Sequence, residues 1–415
     1  MKSLQKEYTI LILMFTLIID VMGLGLVFPI IPELTLDKSN LLLLNNNISS
    51  STRYIFYGII MAAWPLGLFI GSSIIGRLSD QYGRKKLLII SLLGIALSYV
   101  LSIFAIFISN IYIFILGRFI IGLFGGSFGL AQTIIIDISP KDKVARNLSF
   151  VTLSCAIGMI LGPVITTVIG KIYESNSFLA TILPFFIGGL VAILNLISVY
   201  LFLSETNKNK LKNSNASNWI DLIFSFRKVF LDKRVSILVI SFLFMQIGWG
   251  IYIQSFPLLM SSKFSLNQAQ IGLSFLCGAI GYLIAILILL PLFMKYFSLK
   301  LLVIANAIFI TISLLLSSLY ASVFIEYLCF TINSIFQLLF YSALLTWISM
   351  KVSNDEYGQI MGGTVSIFGV AWGINALLIS GFAHMSLNFP IYIAAFSLLL
   401  SGLIVFKTID ASKVS

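Results

Sequence analysis

Charge is what this chain has least of. Asp, Glu, Lys and Arg make up 10% of its 415 residues, against about a quarter in an ordinary soluble domain. A single histidine, His384, lies near an expected external helix end with no neighbouring ligand type, which leaves little scope for imidazole chemistry. Three cysteines, Cys155, Cys277 and Cys329, fall far apart in apolar stretches, so neither a disulfide framework nor a cysteine metal site is expected. No Walker loop, metal-ligand cluster or Ser/His/Asp arrangement is present. Nucleotide hydrolysis, an enzymatic reaction and a bound cofactor are therefore not expected.

What fills the chain instead is hydrocarbon. Hydrophobic residues make up 59%, with 35 phenylalanines and a mean hydropathy of +1.06. Such a composition belongs to an all-α polytopic membrane protein. A crossing needs about 20 apolar residues, and the apolar runs predict twelve spans at 8–31, 54–75, 87–108, 111–136, 149–170, 178–203, 236–260, 269–294, 299–319, 322–350, 358–381 and 389–406. The first run is too long for a cleavable signal peptide, and its Phe-Pro-Ile-Ile-Pro exit lacks a small-residue cleavage pattern.

The formal charge of +11 is informative by its placement. With both termini cytoplasmic, Lys38, Arg53, Lys171 and Lys263 lie outside, Arg118 lies within the membrane, and every other Lys and Arg is cytoplasmic. That bias fixes the orientation and assigns the positive charge to the lipid bilayer surface, with no nucleic-acid partner expected.

A hydrophilic segment, Ser204 to Arg234, carries Lys, Asn and Ser before an amphipathic piece around Trp219 to Phe230. It divides the chain into an N-terminal bundle at 1–203, a linker at 204–235 and a C-terminal bundle at 236–415, six spans in each. A weak repeat supports this division. Ile138-Ser139, a charged loop, then Gly158, Gly162 and Pro163 has a counterpart in Ile348-Ser349, Asp355-Glu356, Gly369 and Gly373. Spans 1 and 7 also share paired glycines, Gly23/Gly25 and Gly248/Gly250, and a Phe-Pro. Repeated halves are a transporter signature.

Several polar residues sit where polar residues are costly. The eleven residues from Gly76 to Lys86 read as a charged turn between two apolar runs, with Gly76 and Gly83 permitting close approach or positive φ and Asp80 accepting from backbone N–H groups at a helix start. Arg84, Lys85 and Lys86 would hold the turn at the anionic leaflet. Arg118 lies about seven residues inside span 4, where an ionised group costs ~2.5–3.5 kcal/mol on insertion scales. Gly122, Gly125, Gly129 and Gln132 follow it at helical spacing and predict one shared face. Asp20 lies near the middle of span 1, where a carboxylate is expensive unless protonated, paired or hydrated. It reads either as a proton-coupling or substrate-cation group or as an aspartate bonded to backbone around Gly23 and Gly25. Glu326 heads span 10 as the second half's only membrane-embedded acid, and Asn333, Gln337 and Tyr341 extend its stripe. Gln246, Gly250, Gln254 and Pro257 form a comparable stripe on span 7, and Trp372 and Asn375 mark span 11. These polar positions are expected to line a cavity.

Taken in order, these motifs resemble the major facilitator superfamily over essentially the whole chain, and within it the twelve-span drug:proton antiporters that include tetracycline exporters. The Gly-x-x-x-Asp-x-x-Gly-Arg-Lys loop is matched at Gly76, Asp80, Gly83, Arg84 and Lys85, with Gln81 where a basic residue is more usual. Span 4 supplies Arg118 and Gly122, span 5 supplies Gly158, Gly162 and Pro163, and span 1 opens Asp20-Val-Met-Gly-Leu-Gly-Leu-Val-Phe-Pro. Two departures accompany the match. Thr166 and Thr167 replace the glycines expected after Pro163, and span 9 lacks the acid of the tetracycline exporters. The resemblance implies alternating access by two pseudo-symmetric six-helix bundles in a bacterial inner membrane, a monomer exchanging an amphiphilic or cationic small molecule for protons. It implies proton coupling at Asp20, Arg118 and Glu326, a latch at Asp80 and an antiporter kink at Pro163. A dedicated exporter of an endogenous product such as a siderophore and a proton-coupled nutrient importer remain as alternatives.

Overall fold

The computed structural model describes residues 2–36, 42, 48–139, 144–207, 227–320, 322–352 and 354–406. Within hydrocarbon every backbone N–H and C=O needs an internal partner, and the helix satisfies them along a single segment. The described residues accordingly form helices and connections, with no strand among them. Twelve helical stretches are long and apolar enough to cross a membrane: Tyr8–Val27, Ser50–Tyr82, Arg84–Phe107, Ile111–Ile138, Leu153–Ile172, Ser177–Phe202, Ser236–Phe264, Gln268–Tyr296, Leu299–Leu319, Val323–Met350, Gly363–Ala383 and Phe389–Phe406. These are spans 1 to 12 below.

The twelve expected spans are present, and the differences at their ends have physical reasons. Span 2 continues as helix past residue 75 to Tyr82, carrying Gly76 and Asp80 with it. The charged turn therefore contracts to one residue, Gly83, whose φ of 106° is open to glycine and strained for other residues. Span 7 extends beyond residue 260 to Phe264, so Lys263 belongs to its last helical turn and not to an external loop. Arg53, expected in the external loop between spans 1 and 2, is buried near the start of span 2. Most of the amphipathic piece around Trp219 to Phe230, and the Asn45–Asn47 loop, lie outside the described residues.

By contacts the chain resolves into two units, residues 1–48 with 63–223, and residues 49–62 with 224–415. The two repeat one pairing scheme. In the first, span 1 packs on spans 5 and 6, and span 3 on spans 4 and 6. In the second, span 7 packs on spans 11 and 12, and span 9 on spans 10 and 12. The fold is two pseudo-symmetric six-helix bundles, and many large side chains remain exposed on their outer faces, among them Phe107, Tyr112, Phe202, Leu287 and Phe396. Apolar exterior of this kind suits lipid.

Glycine sets the closest crossings. A Cβ at Gly158 would stand 2.6 Å from the Ile18 carbonyl oxygen, one at Gly162 would stand 2.7 Å from the Gly25 backbone, and one at Gly25 would meet Pro163 at 2.7 Å. Spans 1 and 5 thus touch backbone to backbone. Thr166, in place of a glycine, is buried in the same seam and donates to the carbonyls of Leu26 (3.2 Å) and Gly162 (3.1 Å). Gly122 packs in the same manner against the Trp64 carbonyl of span 2. Gly76 is exposed and would meet nothing within 4 Å. Gly122→Val is therefore expected to lower stability by about 1–3 kcal/mol or more through overpacking, whereas Gly76→Ala leaves the thermal midpoint unchanged or higher. Melting of the two purified variants in one detergent checks the pair, and equal losses would rule out the steric distinction.

Candidate functional site

Asp20 and Arg118, both in the first unit, are brought into one neighbourhood by two residues that sequence reading did not single out. Span 4 is not continuous. Helix Ile111–Phe124 ends at Gly125 and Gly126, and a second helix, Ser127–Ile138, begins immediately after. That break carries Ser127 to Asp20, where its fully buried hydroxyl donates to Oδ2 at 2.6 Å. The other carboxylate oxygen, Oδ1, is shut off from solvent and has no hydrogen-bond partner. Asp20 is thus held by a side chain of span 4 and not by backbone around Gly23 and Gly25.

Tyr99 of span 3 supplies the second link. It is 2% exposed and interacts electrostatically with both Asp20 and Arg118. Its hydroxyl lies 2.8 Å from where a Cβ of Gly23 would stand, and its ring fills the space left by Gly188. Arg118 is buried with Nε unpartnered, as a snorkelling arginine would not be. The helix break also disperses the expected column below it. Gly122 packs on span 2, whereas Gly129 is exposed with nothing near it and Gln132 is half-buried on the second helix.

The motif around Gly83 is organised by Arg84. Its backbone N–H donates to Glu205 Oε1 at 2.9 Å, its guanidinium contacts Asp137, and Asp80 lies one helical turn earlier at 3.8 Å. Asp80 is in the last turn of span 2 and not at a helix start. Its role there is split, since its backbone carbonyl accepts from Asn207 Nδ2 at 3.0 Å. Glu205 Oε1 also accepts from the backbone N–H groups of Thr206 and Asn207, each at 3.0 Å, and Lys85 Nζ donates to the Tyr200 carbonyl at 2.9 Å. Glu205 and Asp137 were legible only as isolated acids, because nothing in their local sequence marks the partner.

In the second unit the polar stripes of spans 7 and 11 meet each other. Gln254 Nε2 donates to the Trp372 carbonyl at 3.2 Å, and Asn375 Nδ2 donates to the carbonyls of Gln246 (3.3 Å) and Ile247 (3.0 Å). Gly250 makes the approach possible, since a Cβ there would stand 2.6 Å from Asn375 Nδ2. Tyr57, in the opening turns of span 2, donates to the Gln254 carbonyl at 2.6 Å. Gln246, Gln254 and Asn375 are each at most 2% exposed and serve as interhelical ties. Glu326, Asn333 and Gln337 of the span 10 stripe are buried as well, with Tyr341 half-buried, and Gln337 Oε1 and both oxygens of Glu326 have no hydrogen-bond partner. Glu326 is nevertheless not isolated, because Lys263 Nζ lies 3.8 Å from its Oε1.

Arg84→Ala removes the guanidinium from Asp137 and Asp80 while the backbone N–H to Glu205 is retained. It is expected to cost about 1–3 kcal/mol, reduced by the partial exposure of Asp80 and Asp137, and Glu205→Gln is expected to cost less. Thermal melts of both variants test the ranking, and an Arg84→Ala protein as stable as the parent would remove Arg84 as the hub.

The sequence pattern of the Major Facilitator Superfamily matches residues 13–258. Tetracycline resistance protein, class H, of Pasteurella multocida is 28% identical over 273 residues, 64% of this chain and 62% of that protein. The class B protein of Escherichia coli is 27% identical over 257 residues, 62% and 59% of the two chains. This chain therefore spans about three fifths of the length of the tetracycline relatives it matches. Multidrug resistance protein 1 of Bacillus subtilis (strain 168) aligns almost end to end, 26% identical over 402 residues, 95% of this chain and 94% of that one. Among solved structures, a D-xylose-proton symporter superposes with a TM-score of 0.76 at 17% identity, covering 96% of this chain and 97% of its own. The human organic anion transporter MFSD10 (TETRAN) gives 0.72 at 16%, covering 96% and 99%. At these identities the structural likeness establishes the fold, and the pattern match extends over more than half of the sequence. The chain belongs to the Major Facilitator Superfamily, with twelve helices long and apolar enough to cross a membrane.

Proposed function

We propose that this transporter exports amphiphilic or cationic small molecules in exchange for protons. The reading has it work as a monomer by alternating access of halves 1–203 and 236–415 joined through 204–235. It places the protein in a bacterial plasma membrane with both termini cytoplasmic. One observation carries the proposal. Among the described residues, the acids with a carboxylate oxygen shut off from solvent and without a hydrogen-bond partner are Asp20 in one unit and Glu326 in the other. A bare carboxylate in a medium of low dielectric binds a proton or a cation readily, Asp20 when it lacks a proton and Glu326 when Lys263 is away from it.

Ser127 suits a group that changes protonation state. A hydroxyl donates to the ionised carboxylate and, after rotation, accepts from the protonated one, so the Ser127 to Asp20 contact can persist through both. Tyr99 stands electrostatically between Asp20 and Arg118, interacting with both. Gln132, Gln246, Gln254, Asn333, Gln337, Trp372 and Asn375 are the proposed substrate-contacting set. The names of the relatives, resistance to tetracycline and to multiple drugs, favour export over import. The absence of an acid from span 9 argues against tetracycline as the substrate.

The test is growth of an efflux-deficient bacterium expressing the protein or Asp20→Asn, at matched membrane abundance, on lipophilic cations, fluoroquinolones, chloramphenicol and tetracyclines. Resistance conferred by the parent and lost in the variant is the expected outcome. Protection against no compound would redirect the assignment to a dedicated metabolite exporter or a nutrient importer. In the same assay Asp80→Asn is expected to abolish protection without lowering abundance, and unimpaired protection would remove the latch role.

A further inference from the structure

We propose that Lys263 is a tethered counter-cation occupying the Glu326 carboxylate in the resting protein, and that a monovalent organic cation binds there by displacing it. The inference deepens the proposed function and rests on Glu326 being a cation-responsive group.

The geometry begins with the two helix ends. Glu326 is in the first turn of span 10, and Lys263 is in the last turn of span 7. An acid at a helix N-terminus and a base at a C-terminus each sit in a favourable helix field. They lie 3.8 Å apart. That separation is within ion-pair reach and too long for a hydrogen bond. Both oxygens of Glu326 thus remain without a hydrogen-bond partner although the residue is 0% exposed. A carboxylate can accept about four hydrogen bonds, and here its accepting capacity is unused.

The two partners differ in freedom. Glu326 is enclosed by spans 7, 8 and 9, which pack on span 10. Lys263 keeps 20% of its side chain exposed, on a flexible stem at the end of its helix, where the chain turns back through Ser265 with φ of 54°. Its ammonium also lies 5.1 Å from the Phe264 ring centroid, an alternative resting place for the charge. The lysine can leave toward water while the acid cannot, which is the asymmetry an exchangeable occupant requires.

The remaining groups near the acid favour an organic cation over a small hydrated one. Tyr252 of span 7 and Cys329 of span 10 are the other titratable groups in electrostatic contact with Glu326. Phe330, one helical turn after Glu326, stacks on Phe256 with centroids 4.2 Å apart and meets Tyr252 at 5.8 Å. Aromatic faces beside a carboxylate stabilise a desolvated cation, whereas a small metal ion would need several oxygen ligands. Among the described residues no cluster of metal-binding groups stands there.

The experiment is equilibrium binding of tetraphenylphosphonium to the purified full chain in lipid nanodiscs. Lys263→Met removes the internal competitor and is expected to bind about tenfold more tightly than the parent, within the range of ordinary coupling between sites. Lys263→Arg keeps the charge and is the safer variant for folding. Its planar fork grips a carboxylate through two bonds, so binding is expected to weaken about threefold. Glu326→Gln is expected to weaken binding severalfold whatever occupies position 263. If Lys263→Met, at an unchanged melting midpoint, binds no tighter than the parent, or Lys263→Arg binds as well or better, the displacement is overturned while Glu326 keeps its role. If Glu326→Gln binds and protects cells like the parent, the cation-responsive reading of Glu326 fails and the inference falls with it.

Discussion

Helices in a bilayer gain little by covering one another's apolar faces, because lipid covers them equally well, so contact close enough for dispersion and backbone hydrogen bonding has to hold the bundle. The seam between spans 1 and 5 is where this constraint acts most directly. Gly158 and Gly162 admit Ile18, Met22 and Gly25 of span 1 at backbone distance, and Thr166 ties the same face to Leu26. Positions 18, 22 and 25 share one face of a helix of 3.6 residues per turn. Asp20 is two residues, or about 200°, from Ile18 on that wheel. Locking span 1 onto span 5 through glycine therefore keeps Asp20 off the glycine seam and within reach of span 4, where Ser127 meets it. The chemistry of the carboxylate follows from the packing behind it.

Polar ties fix the remaining register, and equivalent helices of the two bundles carry them. Thr16 of span 1 and Asn195 of span 6 are fully buried and exchange hydrogen bonds at 3.3 and 3.1 Å. Ser241 of span 7 and Ser401 of span 12 do the same, hydroxyl to hydroxyl at 2.9 Å and hydroxyl to carbonyl at 2.8 and 2.6 Å. The residue types differ while the joint is conserved between halves, first helix to last. Interhelical bonds of this kind contribute about 0.6 kcal/mol each on average in a membrane. They matter more for excluding rotated alternatives than for strength, since a one-residue rotation would strand both buried partners.

The fold was largely legible in the sequence because its governing signal, apolar length, is one-dimensional. All twelve spans could be read from it, with errors confined to ends such as Tyr82 and Phe264, where polar residues prolong a helix beyond the hydrocarbon run. The site was legible only as a set of costly residues. Asp20, Arg118 and Glu326 stand out because polarity in an apolar run is expensive, and that signal needs no partner. The partners are another matter. Ser127, Tyr99, Glu205 and Lys263 are unremarkable in their local sequence, and their roles depend on which face each helix presents. A regular wheel drawn through span 4 fails at Gly125 and Gly126, where the helix is interrupted and the phase of every later residue changes. The same wheel succeeds in part on span 10, where Glu326, Asn333 and Gln337 are buried together.

The two carboxylates reach neutrality by different routes, and this bears on the exchange of protons and cations proposed for the protein. Asp20 has a neutral hydroxyl as its donor, and no ammonium or guanidinium stands within ion-pair distance of it among the described residues. Its site is neutral when the acid carries a proton. Glu326 has an ammonium at 3.8 Å, and its site is neutral when the acid is ionised and Lys263 is in place. A net charge in a low-dielectric interior is the expensive state in either case. On the proposed function, exchange at the first site would trade a proton for whatever relieves the bare carboxylate, whereas exchange at the second would trade one cation for another. Pseudo-symmetry governs how the helices pack, and the surroundings of the two carboxylates depart from it, a hydroxyl donor beside one and an ammonium beside the other.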